Sequence, residues 1–251
     1  MKKFALFALT AIATASYAVS PVQPGAISIT GSSTQLASVS GGASVTNTSN
    51  AGTYAAQNQA SNQGNVTISG TSNQTSTIEG ASVHNTGFNS GDVAVQNLAS
   101  NGGDVSISGH STQKSDVANS TMTNEAKGNG CDGCSSGTAT AYQNGASNFG
   151  DVTISGTSTQ TLGVSGGSTV SNKADGGDAV AVQNLSSNYG KVSIAGNSSQ
   201  TTWISGGSLV ANLATGTGSA AYQNLASNDY CLPPPPICVG AACGPFSVAH
   251  R

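Results

Sequence analysis

The sequence predicts an all-β protein: an amyloid-like β-solenoid of stacked repeats, each about 40 residues long, following a cleaved signal peptide. Three observations lead to this prediction. Glutamines recur at a nearly constant interval, apolar and polar residues alternate with the period of a strand, and the residues that build a globular core are sparse. Charged residues make up 7% of the 251 residues and aromatic residues 5%, whereas a soluble domain usually carries about 25% charged residues. This composition argues against an ordinary globular enzyme.

The N-terminus has the pattern of a bacterial secretory signal peptide, predicted to span residues 1–18. Lys2 and Lys3 precede an apolar stretch at 4–13, and small residues follow it up to Ala18. We therefore expect a protein that is secreted through the periplasm of a bacterium and is extracellular or bound to the cell surface. No later apolar run approaches the roughly 20 residues of a membrane helix, so no membrane span is expected in the mature chain.

Net charge argues against a nucleic-acid partner. Without residues 1–18 the chain has five Lys and Arg residues and ten Asp and Glu residues, which gives a formal charge of −5. Nucleic-acid binding requires a basic face, and this chain is weakly acidic.

Two glutamine series define the repeat. Successive members are 39, 39, 47 and 40 residues apart in the first series and 39, 47, 40 and 40 apart in the second, where each Gln is followed by Asn. Both series therefore contain one insertion, which falls near 128–136. We predict about five repeat units within a solenoid at 19–228 and a Cys/Pro-rich tail or cap at 229–251.

Within each unit, residues alternate with a period of two over nine positions, which is typical of a strand with one inward face. In the second unit the inward positions begin at Val66 and Ile68 and reach Gln74, and the apolar residue Ile78 keeps the same parity. Gly70 and Ser72, which recur in the later units, are predicted to let neighbouring sheets approach closely. Glutamine thus occupies positions where a globular core would place leucine.

Stacking of equivalent residues explains inward amides, because a buried amide must be hydrogen-bonded and an identical amide in the next layer supplies the partner. The spacing leaves open whether a unit forms one layer, giving a rod of roughly 25 Å, or two layers, giving roughly 50 Å. A low-complexity linker that never folds is the alternative, but linkers do not keep apolar residues in register over five units. The predicted assembly ladder comprises Gln35, Gln74, Gln113, Gln160, Gln200, Gln57, Gln96, Gln143, Gln183, Gln223, Asn58, Asn97, Asn144, Asn184 and Asn224.

Two stretches resemble known fibre proteins. The frame Ser90-x5-Gln96-x4-Asn101 resembles the repeat of curlin proteins, and 192–200 is similar to a motif of the Fap-type fibre subunits of pseudomonads. The units here are longer than curlin repeats, and Ile107 stands where curlin units carry a second amide. The resemblance implies a bacterial functional amyloid that forms a homopolymeric fibre, with outer-membrane export and nucleator proteins as further partners.

Five cysteines are disulfide candidates in a secreted protein. For Cys131 and Cys134 a local loop disulfide is favoured over a redox motif or a zinc site. In the tail, prolines 233–236 form a predicted polyproline II spacer between Cys231 and Cys238, which suggests a stapled cap. An odd total, completed by Cys243, leaves one thiol for an intermolecular bond.

No catalytic, cofactor or metal site is predicted, and we do not expect an enzyme. His84, His110 and His250 are not accompanied by a placed acid and nucleophile. The Gly-Gly-Asp fragment at 102–104 lacks the spacing of calcium-binding β-solenoid repeats.

The predicted function is that of a structural subunit of a secreted fibre or biofilm matrix, which assembles itself by edge-to-edge β stacking. The alternative is a monomeric β-solenoid adhesin that binds a host or abiotic surface through its outward face. Ice binding is a weaker third possibility, because the outward positions Thr67, Ser106, Thr153 and Ser193 mix threonine with serine instead of forming a regular Thr array.

Overall fold

A computed structural model describes residues 26–50, 54–88, 93–128, 139–176, 179–216 and 219–229. The predicted signal peptide, all five cysteines, His250 and the tail from residue 230 lie outside the described residues, so the predictions about them stay predictions. Within the described ranges every regular element is a β-strand. That part of the chain accordingly holds no helix that is long and apolar enough to cross a membrane.

The strands form five parallel sheets of five strands each, and every sheet takes one strand from each repeat unit. We number the sheets in the order in which the chain visits them. Sheet 1 contains Ala26–Ile29, Asn65–Ile68, Val105–Ile107, Val152–Ile154 and Val192–Ile194. Sheet 2 contains Ser32–Ser40, Thr71–Glu79, His110–Ala118, Thr157–Ser165 and Asn197–Ile204. Sheet 3 contains Ser44–Asn50, Ser82–Phe88, Thr121–Lys127, Thr169–Asp175 and Leu209–Thr215.

The last two sheets complete each unit. Sheet 4 contains Ala55–Asn58, Val93–Asn97, Thr140–Asn144, Val180–Leu185 and Ala220–Leu225. Sheet 5 contains Asn62–Gln63, Asn101–Gly102, Asn148–Phe149, Asn188–Tyr189 and Asn228–Asp229.

Each repeat unit is one coil of a β-solenoid. Ile29 pairs with Ile68 and Gln35 pairs with Gln74, so every strand lies directly against its equivalent in the next unit. This confirms the predicted β-solenoid and shows that each unit forms one layer. Five single layers at about 4.8 Å make a rod of roughly 25 Å. Coils 1 to 5 span 26–63, 65–102, 105–149, 152–189 and 192–229.

The alternation read from the sequence places the aliphatic residues inside. Val105 and Ile107 are buried while Ser106 between them is exposed. In sheet 1 the equivalent Val and Ile residues of successive coils stack into one continuous apolar cluster. A second cluster joins sheets 2 and 3 with Leu98 and Leu185, and a third consists of small alanines between sheets 3 and 4. The core is thin, and the space between the apolar clusters is filled by amides and hydroxyls.

Glycine is required at the corner between sheets 1 and 2. A Cβ added to Gly109 would lie 2.1 Å from the carbonyl oxygen of Gly70, and the same approach recurs at Gly156 and Gly196. No described coil precedes Gly31, the equivalent residue of coil 1, and its Cβ would meet nothing within 4 Å. Glycine therefore recurs in this column of equivalent residues because the backbones of successive coils are too close to leave room for a Cβ atom.

Candidate functional site

The predicted Gln-Asn pairs lie in sheet 4, and their glutamines form a continuous ladder through the stack. Each Nε2 donates to the Oε1 of the preceding coil: Gln96 to Gln57 at 2.7 Å, Gln143 to Gln96 at 2.8 Å, Gln183 to Gln143 at 2.5 Å and Gln223 to Gln183 at 2.6 Å. The three central glutamines are completely buried. The alternating pattern thus places these amides inside, where the neighbouring coil supplies their partners.

The asparagines that follow these glutamines form a second ladder in the same direction. Asn97, Asn144, Asn184 and Asn224 each donate Nδ2 to the Oδ1 of the preceding asparagine, at 2.7, 2.7, 3.0 and 2.8 Å. Their parity is opposite to that of the glutamines, yet the three central members are at most 3% exposed. In coil 2 the adjoining sheet 5 contributes to this burial, since Asn97 Nδ2 also lies 2.9 Å from Gln63 Oε1.

A third ladder in sheet 3 was not predicted. It consists of Asn47, Asn85, Asn124, Asn172 and Asn212, and each of its four steps is an Nδ2–Oδ1 hydrogen bond of 2.8 Å that runs toward the following coil. The amide nitrogens also donate to carbonyl oxygens of sheet 4, as Asn124 does to Tyr142 at 2.9 Å. Recurrence of Asn at intervals of 38, 39, 48 and 40 residues is the sequence signal that could have revealed it.

The first glutamine series, which lies in sheet 2, makes its hydrogen bonds across the interior and not along the stack. Gln74 Nε2 donates to Asn101 Oδ1 at 2.9 Å within coil 2, and the equivalent bond occurs in all five coils. The predicted hydrogen bonds between stacked glutamines do not form in this series. An asparagine of sheet 5 in the same coil supplies the acceptor oxygen instead. The oxygens Oε1 of Gln35, Gln74, Gln113 and Gln160 are buried without a hydrogen-bond partner in the described part of the chain.

The acceptors of that series form a fourth ladder in sheet 5, which was also not predicted. Asn62, Asn101, Asn148 and Asn188 each donate Nδ2 to the asparagine of the following coil, at 2.9, 2.9, 2.9 and 2.8 Å. The last acceptor is Asn228. Four amide ladders therefore run the length of the described solenoid, two in each direction.

None of the Lys, Asp, Glu and His side chains whose burial the structure describes is buried. Lys173 Nζ lies 3.2 Å from Glu125 and 3.1 Å from Asp175. The Thr215 hydroxyl, 2.6 Å from Asp175, together with Lys173 holds the pKa of the Asp175 carboxyl below its ordinary value. His110 is exposed and His84 is half-buried on its sheet. Among the described residues no three His, Cys, Asp or Glu side chains gather closely enough to hold a metal ion.

The two ends of the stack expose residues that are buried elsewhere. Ile194 is 38% exposed in coil 5, while its equivalent Ile154 in coil 4 is fully buried. Ile204 is 40% exposed, against 1% for Val164. Their parity is inward, so they are exposed only because the described stack ends there. Each end of the described stack therefore presents five edge strands around a strip of core that no described residue covers.

Comparison with known proteins gives no relative: no family model matches the sequence, and no curated protein or solved structure shows significant similarity to it.

Proposed function

We propose that the protein is the structural subunit of a secreted extracellular fibre or biofilm matrix. Its copies add to one another by placing coil 1 of one copy on coil 5 of the next, so in this proposal the segment at 229–251 is a tail that lies beside coil 5 and not a cap that covers it. The observation that carries this proposal is that similar residue types occupy equivalent positions at the two ends of the described stack. By register, Ile194 of one copy meets Ile29 of the next, Gln200 meets Gln35 and Ile204 meets Val39.

Backbone hydrogen bonds supply the driving force in this proposal. An edge strand presents unpaired N–H and C=O groups that pair readily with another strand. Coil 5 presents five such strands, and coil 1 presents the five equivalent strands, which run in the same direction and are similar in length. Stacking would cover Ile194, Ile204 and Leu225, which is 42% exposed, and burial of apolar area stabilises contacts by about 25 cal/mol per Å².

The cellular setting of the proposal comes from the sequence. The signal-peptide pattern at 1–18 supports secretion, and the likeness of 90–101 to curlin repeats supports an outer-membrane export protein and a nucleator as partners. The chain then acts as fibre material and carries no catalytic activity, cofactor or metal.

Assembly of the purified mature protein tests this function. We expect filaments that bind thioflavin, form after a lag phase and give a meridional reflection near 4.8 Å in fibre diffraction. A protein that stays monomeric for days at tens of micromolar would contradict the proposal.

A second candidate, a monomeric adhesin, is favoured by one feature of the outer surface. Trp203 is 56% exposed and lies over Gly163, beside the ion pair that Lys114 and Asp116 form at 2.8 Å. Tryptophan is enriched in protein contact surfaces relative to the rest of the surface. If the monomer binds surfaces and Trp203→Ala removes that binding, whereas Leu209→Ala, which truncates another exposed side chain, does not, the adhesin function is supported.

A further inference from the structure

The four amide ladders have direction, and we infer that this direction permits only polar, head-to-tail joining of copies. This inference rests on the proposed function and adds the orientation of the partner copy. The ladder from Gln57 to Gln223 and the ladder from Asn58 to Asn224 donate toward coil 1. The other two, which begin at Asn47 and Asn62, donate toward coil 5.

Contacts within each coil fix the directions of the ladders in sheets 3 and 5. In the sheet 3 ladder the Nδ2 atoms of Asn85 and Asn172 also donate to the carbonyl oxygens of Val95 and Val182, both at 3.0 Å. Rotating either amide by 180° would bring its oxygen against a carbonyl oxygen, which is repulsive. In the sheet 5 ladder the oxygen of Asn101 accepts the Gln74 amide, so it too has one allowed orientation.

The two ends therefore carry complementary sets of polar groups. At coil 5 the last members of the sheet 4 ladders, Gln223 and Asn224, point their oxygens out of the stack because their nitrogens donate inward. At coil 1, the oxygens of Gln57 and Asn58 accept from coil 2, which leaves an N–H of each amide directed out of the stack, while Gln57 Nε2 also donates to the His84 carbonyl oxygen at 3.4 Å. Both of these ladders continue without a break when coil 1 of one copy meets coil 5 of another.

In the other two ladders the donors are at the coil 5 end and the acceptors are at the coil 1 end. Asn228 accepts from Asn188 through its oxygen and so directs its nitrogen out of coil 5. Asn62 donates its nitrogen to Asn101 and directs its oxygen out of coil 1. The ladder between Asn47 and Asn212 runs in the same direction, and the Asn212 nitrogen also donates to the carbonyl oxygens of Ala181 and Tyr222. All four ladders thus meet donor to acceptor across a head-to-tail junction.

Two copies cannot pair all five of their sheets if they meet through the same end. Two copies that meet through the same end have strands running in opposite directions, and their five sheets follow one another in reversed order. The nine-residue strand of sheet 2 and the two-residue strand of sheet 5 then cannot both face their equivalents. Buried ladder amides would be left unpaired, and each such group carries a desolvation penalty.

Two substitutions separate the junction from the fold. In Asn58→Asp, the carboxylate still accepts the Asn97 amide, so the intrachain bond remains, but the outward N–H is replaced by a negative oxygen. Asn228→Asp is the counterpart at coil 5, since it still accepts from Asn188 and Gln200. Each variant has one blocked end and one intact end. At pH 7 we expect each to fold with unchanged thermal stability and to elongate about 100-fold more slowly or not at all, because an unpaired buried charge is strongly unfavourable.

Mixing the two variants decides the orientation. The intact coil 5 of Asn58→Asp fits the intact coil 1 of Asn228→Asp, so the mixture should give a heterodimer by analytical ultracentrifugation, while each variant alone stays monomeric. If copies joined through like ends, each variant alone would form homodimers and mixing would add nothing. That result would overturn the inference and leave the fibre function standing, whereas failure of the parent protein to polymerise would overturn the proposed function itself.

Asn62→Asp is the matched control in coil 1. It loses the intrachain bond to Asn101 but keeps an oxygen facing the junction. We expect lower thermal stability than Asn58→Asp and continued polymerisation. Loss of polymerisation in both variants to the same degree would show that charge at coil 1, and not ladder direction, governs joining.

Discussion

Gln143 and Gln96 are 47 residues apart in the chain, yet Gln143 Nε2 lies 2.8 Å from Gln96 Oε1, the same type of contact that Gln183 makes with Gln143 across 40 residues. The additional residues between Gln96 and Gln143 change neither the ladder nor the strands beside it. Lys127 before the insertion and Thr140 after it both pair in register with the neighbouring coils.

Deletion of residues 130–136 should therefore leave the stack intact. The expected result is an unchanged or slightly raised melting temperature and normal filament formation, because a shorter loop closes at a slightly lower entropic cost. Circular dichroism melting and electron microscopy, with and without reductant, check this. Filaments lost in the deletion alone would show that Cys131 and Cys134 have a working role in assembly.

The buried Gln ladder should contribute to stability where the outward positions do not. Replacing Gln96, Gln143 and Gln183 together by Ala removes three buried amides and should lower the unfolding free energy by roughly 3 kcal/mol, at about 1 kcal/mol each. Chemical denaturation measures the loss. The matched outward set, Thr112, Thr159 and Ser199 to Ala, should change stability by less than about 1 kcal/mol. Equal effects from the two sets would reject the inward role of the ladder.

The stacked glycines at the corner between sheets 1 and 2 allow a test that separates folding from filament growth. Gly109→Ala places a Cβ 2.1 Å from the Gly70 carbonyl oxygen and should destabilise the protein by at least about 2 kcal/mol, because the backbone cannot give way. Gly31→Ala meets nothing within 4 Å and should leave the melting temperature unchanged. At a head-to-tail junction, however, residue 31 would stack on Gly196 of the next copy, so Gly31→Ala should block filament growth. Normal growth of Gly31→Ala would argue against stacking through coil 1.

Tyr142 should make the protein sensitive to alkali. Burial of the phenol, and secondarily the charge of Tyr189, raises the pKa of Tyr142 from 10.0 to about 12. The unfolded chain therefore ionises first as the pH rises, and the stability due to the protonated phenol is complete below pH 10 and lost between pH 10 and about 12. Denaturation curves across this range should show the loss, and Tyr142→Phe, which keeps the ring against Phe149, should reduce it. An identical pH profile in both proteins would contradict this assignment.

Much of the fold follows from local patterns in the sequence. The period of about 40 residues and the alternation in each unit predicted which Val, Ile and Gln side chains face inward, and Val105, Ile107 and Gln96 are indeed buried. Inward residues can be predicted in this way because parallel, in-register stacking gives equivalent residues the same environment in every coil. The same positions of each unit therefore face inward. The sheet 3 ladder through Asn124 was within reach of the same reasoning, because its spacing follows the repeat.

Other features depend on how the strands are arranged around one coil. Parity predicts that Asn97 faces outward, yet it is only 3% exposed. Similarly, Gln74 bonds to Asn101 across the interior and not to the glutamine of the adjacent coil. The alternation of a strand specifies two faces, but it carries no information about which distant strand lies opposite each face. The sequence by itself therefore determined the repeat, the strands and most inward residues. Only the tertiary structure decided that one unit is one layer and which amides meet, because the angles at the corners place five separate sheets around a shared interior.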